Sequence, residues 1–207
     1  MHQTEQKRYT KTTALVLCGI FAALMAVCSF ITIPLGFTPI PINLATLGVF
    51  LTGGILGKKY GSISLIVYIL LGAVGIPVFA GFKGGLGVLA GPTGGYIIGY
   101  LAAAFLTGFL VEIVFRKTSG GAESGSRSKT SGTAKSRTLR FIGIILSMII
   151  GLAACYALGT AWFMISTGTG LGAALISCVI PFLPGDAAKI IVGALLVQKL
   201  RPMIPIR

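Results

Sequence analysis

Two residues of opposite charge, Asp186 and Lys189, stand three apart in residues 181–189 (PFLPGDAAK), inside otherwise apolar sequence. Asp186 is the only aspartate of the chain. Side chains three apart on a helix share a face. A carboxylate there accepts hydrogen bonds from N–H donors, and an ammonium group neutralises an anion or binds a carbonyl. Such a pair can recognise a small solute with a polar head. It cannot by itself make or break a bond. His2 is the only histidine and lies in the polar N-terminal tail, so a histidine-based nucleophile pair in the apolar segments is excluded. Cys18, Cys28, Cys155 and Cys178 all fall in apolar runs without CxxC spacing and read as small buried hydrophobes. The glycines of residues 75–91 follow neither a Walker loop nor a dinucleotide fingerprint. No catalytic, metal-ligating or cofactor-binding set emerges.

The elements that must position the pair are membrane helices. The 207 residues are 55% hydrophobic with a mean hydropathy of +0.95. Only 10% are charged, against about 25% in soluble domains. A helix needs about 20 apolar residues to cross a bilayer. Apolar runs and their breaks predict an all-α polytopic bundle of six transmembrane helices in one domain. The helices fall at about 13–33, 43–57, 61–75, 92–116, 139–165 and 171–200, the last broken at 181–185. Residues 117–138, rich in Ser, Gly, Lys and Arg, read as a flexible loop. The second and last helices are short, so their outer ends lie below the membrane surface. Irregular backbone survives at that depth only under protein or beside a cavity. Asn43 is placed to cap the second helix and Asp186 the last.

Charge sets the topology. The N-terminal tail, the 57–61 turn, the 116–140 loop and the C-terminus hold 15 of the 17 Lys and Arg. The positive-inside rule makes that side, with both termini, cytoplasmic. The net charge of +13 is therefore a topological signal and not a nucleic-acid footprint. Lys83 and Lys189 break the pattern, and both belong with Asp186 on the outer half. Each unpaired charge in a bilayer costs at least about 2.5–3.5 kcal/mol, so such residues usually pair and face a cavity. Asn43 adds a donor and an acceptor. Phe37, Phe79, Phe82 and Tyr96 could wall an apolar solute. Lys83 could equally be a solvated loop charge, and Asp186–Lys189 a purely structural ion pair in a membrane enzyme or structural subunit. Small residues at Ala14, Cys18, Ala22 and Ala26, with Gly19 and Ala23 beside them, form a stripe on which another helix could pack closely, from the same bundle or from a partner.

The glycine loop running into Gly-Pro-Thr-Gly-Gly-Tyr (91–96), with PFLPGDAAK (181–189), resembles the signatures of the BioY family, the biotin-binding S components of energy-coupling factor (ECF) transporters. The similarity covers roughly residues 13–200. It implies an S-component-like bundle in the cytoplasmic membrane, with a biotin site near the outer face closed by the loops after helices one and three. It implies as partners a transmembrane coupling subunit and two ATPases. Asp186 and Lys189 would then hold the polar groups of biotin, with Asn43, Lys83, Tyr96 and Phe79 as further contacts. Ala14, Cys18, Ala22 and Ala26 would face the coupling subunit. A different small vitamin is the alternative within the class. The resemblance gives no function to the basic 116–140 loop.

Overall fold

The computed structural model describes residues 5–36, 38, 40–120 and 131–204. Seven α-helices carry them: α1 (Glu5–Phe30), α2 (Ala45–Ala73), α3 (Leu86–Ala90), α4 (Gly94–Gly120), α5 (Ser131–Thr167), α6 (Leu171–Cys178) and α7 (Leu183–Leu200). Two-residue strands β1 (Thr32–Ile33) and β2 (Ile42–Asn43) pair antiparallel and close the proline-rich loop between α1 and α2. Five helical stretches among the described residues are long and apolar enough to cross a membrane.

The second of those stretches is folded in two. Gly57 has φ +79° and ψ −178°, a conformation that L side chains rarely adopt. The chain doubles back there, because a Cβ on Gly61 would lie 3.1 Å from the Cα of Gly53. Along a straight helix, eight residues would separate the two by about 12 Å. Residues 45–56 therefore run inward and residues 58–73 outward, which makes six helical legs. Ser29 Oγ lies 2.8 Å from the Tyr68 hydroxyl, and the Cys18 thiol donates to the Tyr60 carbonyl at 3.5 Å, so α1 and residues 58–73 run parallel. Helix α4 crosses at the fold itself: a Cβ on Gly108 would sit 2.6 Å from the carbonyl carbon of Gly57. No side chain fits between these backbones.

Burial is inverted relative to a soluble protein. Leu15, Ile20, Leu70, Ile149 and Leu195 are exposed around the perimeter, as lipid-facing residues are. Ser64, Thr107 and Ser147 are buried, and their hydroxyls donate to backbone carbonyls, so no polar atom of theirs faces hydrocarbon unpaired. The inner half of the core packs around Phe50, Ile55, Val111, Met148 and Val197. The outer half packs around Tyr68, Phe79, Tyr96 and Tyr100.

Four sequence expectations need correction. The stripe Ala14, Cys18, Ala22 and Ala26 is buried within the bundle, and the open face of α1 carries Gly19 and Ala23 instead. The loop expected over 117–138 is narrower, since α4 reaches Gly120 and α5 begins at Ser131. Nothing in residues 116–118 breaks a helix, and Lys117 suits the negative end of the α4 dipole. Helix α7 begins at Leu183, ahead of Asp186, because Pro184 fits a first turn whose N–H groups have no partner anyway. Asp186 therefore lies within the first turn and caps nothing. Asn43 precedes the N-cap residue Leu44, and its Oδ1 accepts the Ala45 N–H at 3.1 Å.

Candidate solute-binding site

A cavity of about 310 Å³ opens in the outer half of the bundle. It is at the small end of the roughly 300–1,000 Å³ typical of small-molecule sites. Six of the residues singled out from sequence, Asn43, Phe79, Lys83, Tyr96, Asp186 and Lys189, line it.

The polar end is built on α7. Asp186 is 2% exposed and Lys189 9%. Lys189 Nζ lies 2.8 Å from Asp186 Oδ1, as the three-residue spacing on one helix allows. Two residues not foreseen from sequence complete the cluster. The Thr46 hydroxyl donates to Asp186 Oδ1 at 2.9 Å and accepts from Lys189 Nζ at 3.0 Å. The Tyr156 hydroxyl donates to Asp186 Oδ2 in a short hydrogen bond. Helices α2, α5 and α7 are thus tied at one carboxylate. A carboxylate has about four lone-pair sites, and three are used here, so one remains for a ligand. The pair is electrically neutral as a unit. A ligand group offering N–H and C=O together matches it, whereas a charged group would bring an unbalanced charge into a buried site. Thr46 and Tyr156 carry no charge, and in an apolar chain nothing flags them.

Tyr156→Phe removes one donor from a buried carboxylate. Hydrogen bonds to charged groups contribute about 1.5–3 kcal/mol. The variant is expected to lose stability by that amount, read as a lowered midpoint of thermal unfolding in detergent. An unchanged midpoint would mean that the hydroxyl does not support Asp186.

The walls are aromatic. Phe79 is fully buried and packs edge-on to Tyr68, with ring centroids 5.5 Å apart. The Tyr96 hydroxyl pairs with Thr160 Oγ1 at 3.1 Å. Their hydroxyls held by protein, Tyr68 and Tyr96 contribute chiefly apolar surface. The glycine-rich loop forms the rim: the Phe79 N–H donates to the Lys83 carbonyl at 2.9 Å, and Lys83, exposed, brings a cation to the mouth. Phe82 is not a wall. It has φ +57°, is 64% exposed, and stacks on Phe30 at 4.4 Å outside the cavity. Phe37 lies outside the described residues.

Six helical legs around an outward cavity, with a buried ion pair at its floor, define a polytopic membrane protein of the small-solute-binding class. The sequence profile of the BioY family matches residues 2–206. The biotin transporter BioY of Thermotoga maritima is 38% identical over 190 residues, covering 91% of this chain and 96% of that protein. The corresponding protein of Rhizobium etli is 34% identical over 200 residues, covering 95% and 98%. The crystal structure of the S-component for biotin from an ECF-type ABC transporter superposes with a TM-score of 0.77 at 29% identity, covering 98% of this chain and 95% of that one. The chain belongs to the BioY family, and with it to the multi-pass proteins of the cytoplasmic membrane.

Proposed function

We propose that this chain is the substrate-binding S component of an ECF-type transporter and captures biotin at the outer face of the membrane. The observation that carries the reading is the outer cavity with Asp186–Lys189 at its floor and Lys83 at its rim. The ureido ring of biotin offers N–H donors to the remaining lone pair of Asp186 and a carbonyl to Lys189. Its bicyclic body fills the aromatic walls, and its carboxylate meets Lys83 at the mouth.

The test is binding of labelled biotin to the purified protein, with other small vitamins as competitors. Biotin is expected to bind and to raise the unfolding temperature, while unrelated vitamins do neither. Protein that binds a different vitamin and ignores biotin would refute the substrate assignment. The Lys83 contact has its own readout. Biotin amide, which lacks the anionic end, is expected to bind about tenfold more weakly than biotin, or about 1.4 kcal/mol. Lys83→Gln removes that difference. A preference that survives the substitution would return Lys83 to the role of a solvated loop charge.

Energy comes from partners: a transmembrane coupling subunit and two ATPases. The open face of α1 is the proposed contact, where Gly19 and Ala23 allow close helix approach. Gly19→Leu is expected to reduce co-purification of the coupling subunit severalfold with biotin binding intact. Undiminished assembly would place the contact elsewhere.

A further inference from the structure

The inner end of the bundle carries a second polar cluster that solute capture does not use. Glu112 is the acidic side chain described there, and it is already engaged. Its Oε1 accepts the Lys58 N–H at 3.0 Å and its Oε2 lies 3.9 Å from Lys58 Nζ. Arg201, just beyond α7, donates to the Gly54 carbonyl and stands over the Phe115 ring, 5.0 Å from its centroid. Arg140 on α5 stands over the same ring at 4.8 Å. The two arginines differ in one respect. Arg201 is tied to the chain, whereas Arg140 Nε is buried without a hydrogen-bond partner among the described residues. Gln198 Nε2 donates to the Arg137 carbonyl at 2.8 Å, which ties α7 to α5 about one turn ahead of Arg140.

We propose that this cluster binds the phosphate of an anionic phospholipid in the cytoplasmic leaflet, gripped by Arg140 on the Phe115 platform with Arg201 beside it. Three observations converge. Two guanidinium groups lie within 5.0 Å of the centroid of one ring, so positive charge is gathered at this end of the bundle. The described carboxylate at this end, Glu112, is taken up by the Lys58 turn and lies beside Arg201 at the Gly57 backbone, which leaves Arg140 without an ion pair among the described residues. The Arg140 fork suits phosphate, which accepts parallel N–H bonds from guanidinium. The location agrees: this end lies in the anionic inner leaflet, where basic pockets between helices take lipid headgroups. A phosphodiester with acyl chains also covers the apolar helix surface outward of the ring. Free phosphate satisfies the fork alone.

The test uses the purified full chain, stripped of lipid in detergent. It is titrated separately with dioleoylphosphatidylglycerol and dioleoylphosphatidylcholine, and bound lipid is counted by native mass spectrometry. Phosphatidylglycerol is expected to bind roughly tenfold more tightly. Arg140→Gln should erase that preference while biotin binding, at the opposite end of the bundle, is unchanged. Arg140→Lys keeps the charge but not the fork, and should fall between the two. Millimolar inorganic phosphate should leave the bound lipid in place. Equal retention of the two lipids by the unaltered chain would overturn the proposal, as would a preference that survives in Arg140→Gln. Displacement of the lipid by inorganic phosphate alone would replace it with a simple anion site.

Discussion

Lys189→Met is expected to abolish measurable biotin binding, a loss of at least 100-fold, and to destabilise the bundle as well. The two effects have one cause. Removing the ammonium group leaves Asp186, 2% exposed, as an uncompensated buried charge with Thr46 and Tyr156 as its remaining donors. Breaking a buried pair from one side costs about 3–5 kcal/mol. Loss of binding alone would therefore not separate a ligand site from a structural lock, since an unfolded bundle binds nothing. The double variant Asp186→Asn/Lys189→Met separates them. It removes both charges, and replacing a buried ion pair by neutral groups is often neutral or stabilising. Its unfolding midpoint should return close to that of the unaltered chain. Its biotin binding should not return, because neither the carboxylate nor the ammonium group is there to meet the ureido ring. Measuring both quantities on Lys189→Met, Asp186→Asn and the double variant gives a cycle in which stability recovers and binding does not. Recovery of binding together with stability would reduce Asp186–Lys189 to an ion-pair lock and sink the assignment of the site.

That the pair could be found without coordinates follows from electrostatics. A charge in an apolar run is costly whatever the fold, so its presence demands a cavity and a partner. Lys83 stood out for the same reason, as a cation on the wrong side of the membrane. Neutral partners give no such signal. Thr46 and Tyr156 are ordinary residues of spanning helices until the fold sets them on Asp186. Which face of α1 turns inward was also unreadable. In a soluble helix the polar face announces the outside, but a lipid-facing helix is apolar all round. Ala14, Cys18, Ala22 and Ala26 on one side, and Gly19 with Ala23 on another, are equally small, and only packing against residues 45–73 decides between them. The reversal at Gly57 lay between the two. Its glycine and lysines marked a turn in the sequence. That α4 passes so close that Gly108 meets the turn backbone is a tertiary fact with no local sign.

Gly72→Ala is expected to weaken biotin binding by 10- to 100-fold, although Gly72 does not itself line the cavity. A methyl group at position 72 would collide with the ring of Phe79, which lies directly on the glycine. Phe79 is 1% exposed, packs edge-on against Tyr68 and lines the cavity, so it has no free direction to move. The glycine also receives the loop from the other side: the Gly85 N–H donates to the Gly72 carbonyl at 2.6 Å, which anchors the segment carrying Lys83. Overpacking at such a site costs about 1–3 kcal/mol. Here the strain should fall on the loop, the less constrained of the two partners, and displace the wall and rim of the cavity together. Binding should therefore drop more than stability does. A second substitution tests the steric origin. Phe79→Leu alone removes an aromatic wall and should weaken binding by itself. In the Gly72→Ala background it makes room for the methyl group, so the double variant should bind better than the sum of the single losses predicts. Strict additivity, or a Gly72→Ala chain that binds biotin normally, would show that the ring is not held by the glycine and that the loop finds its place by other contacts.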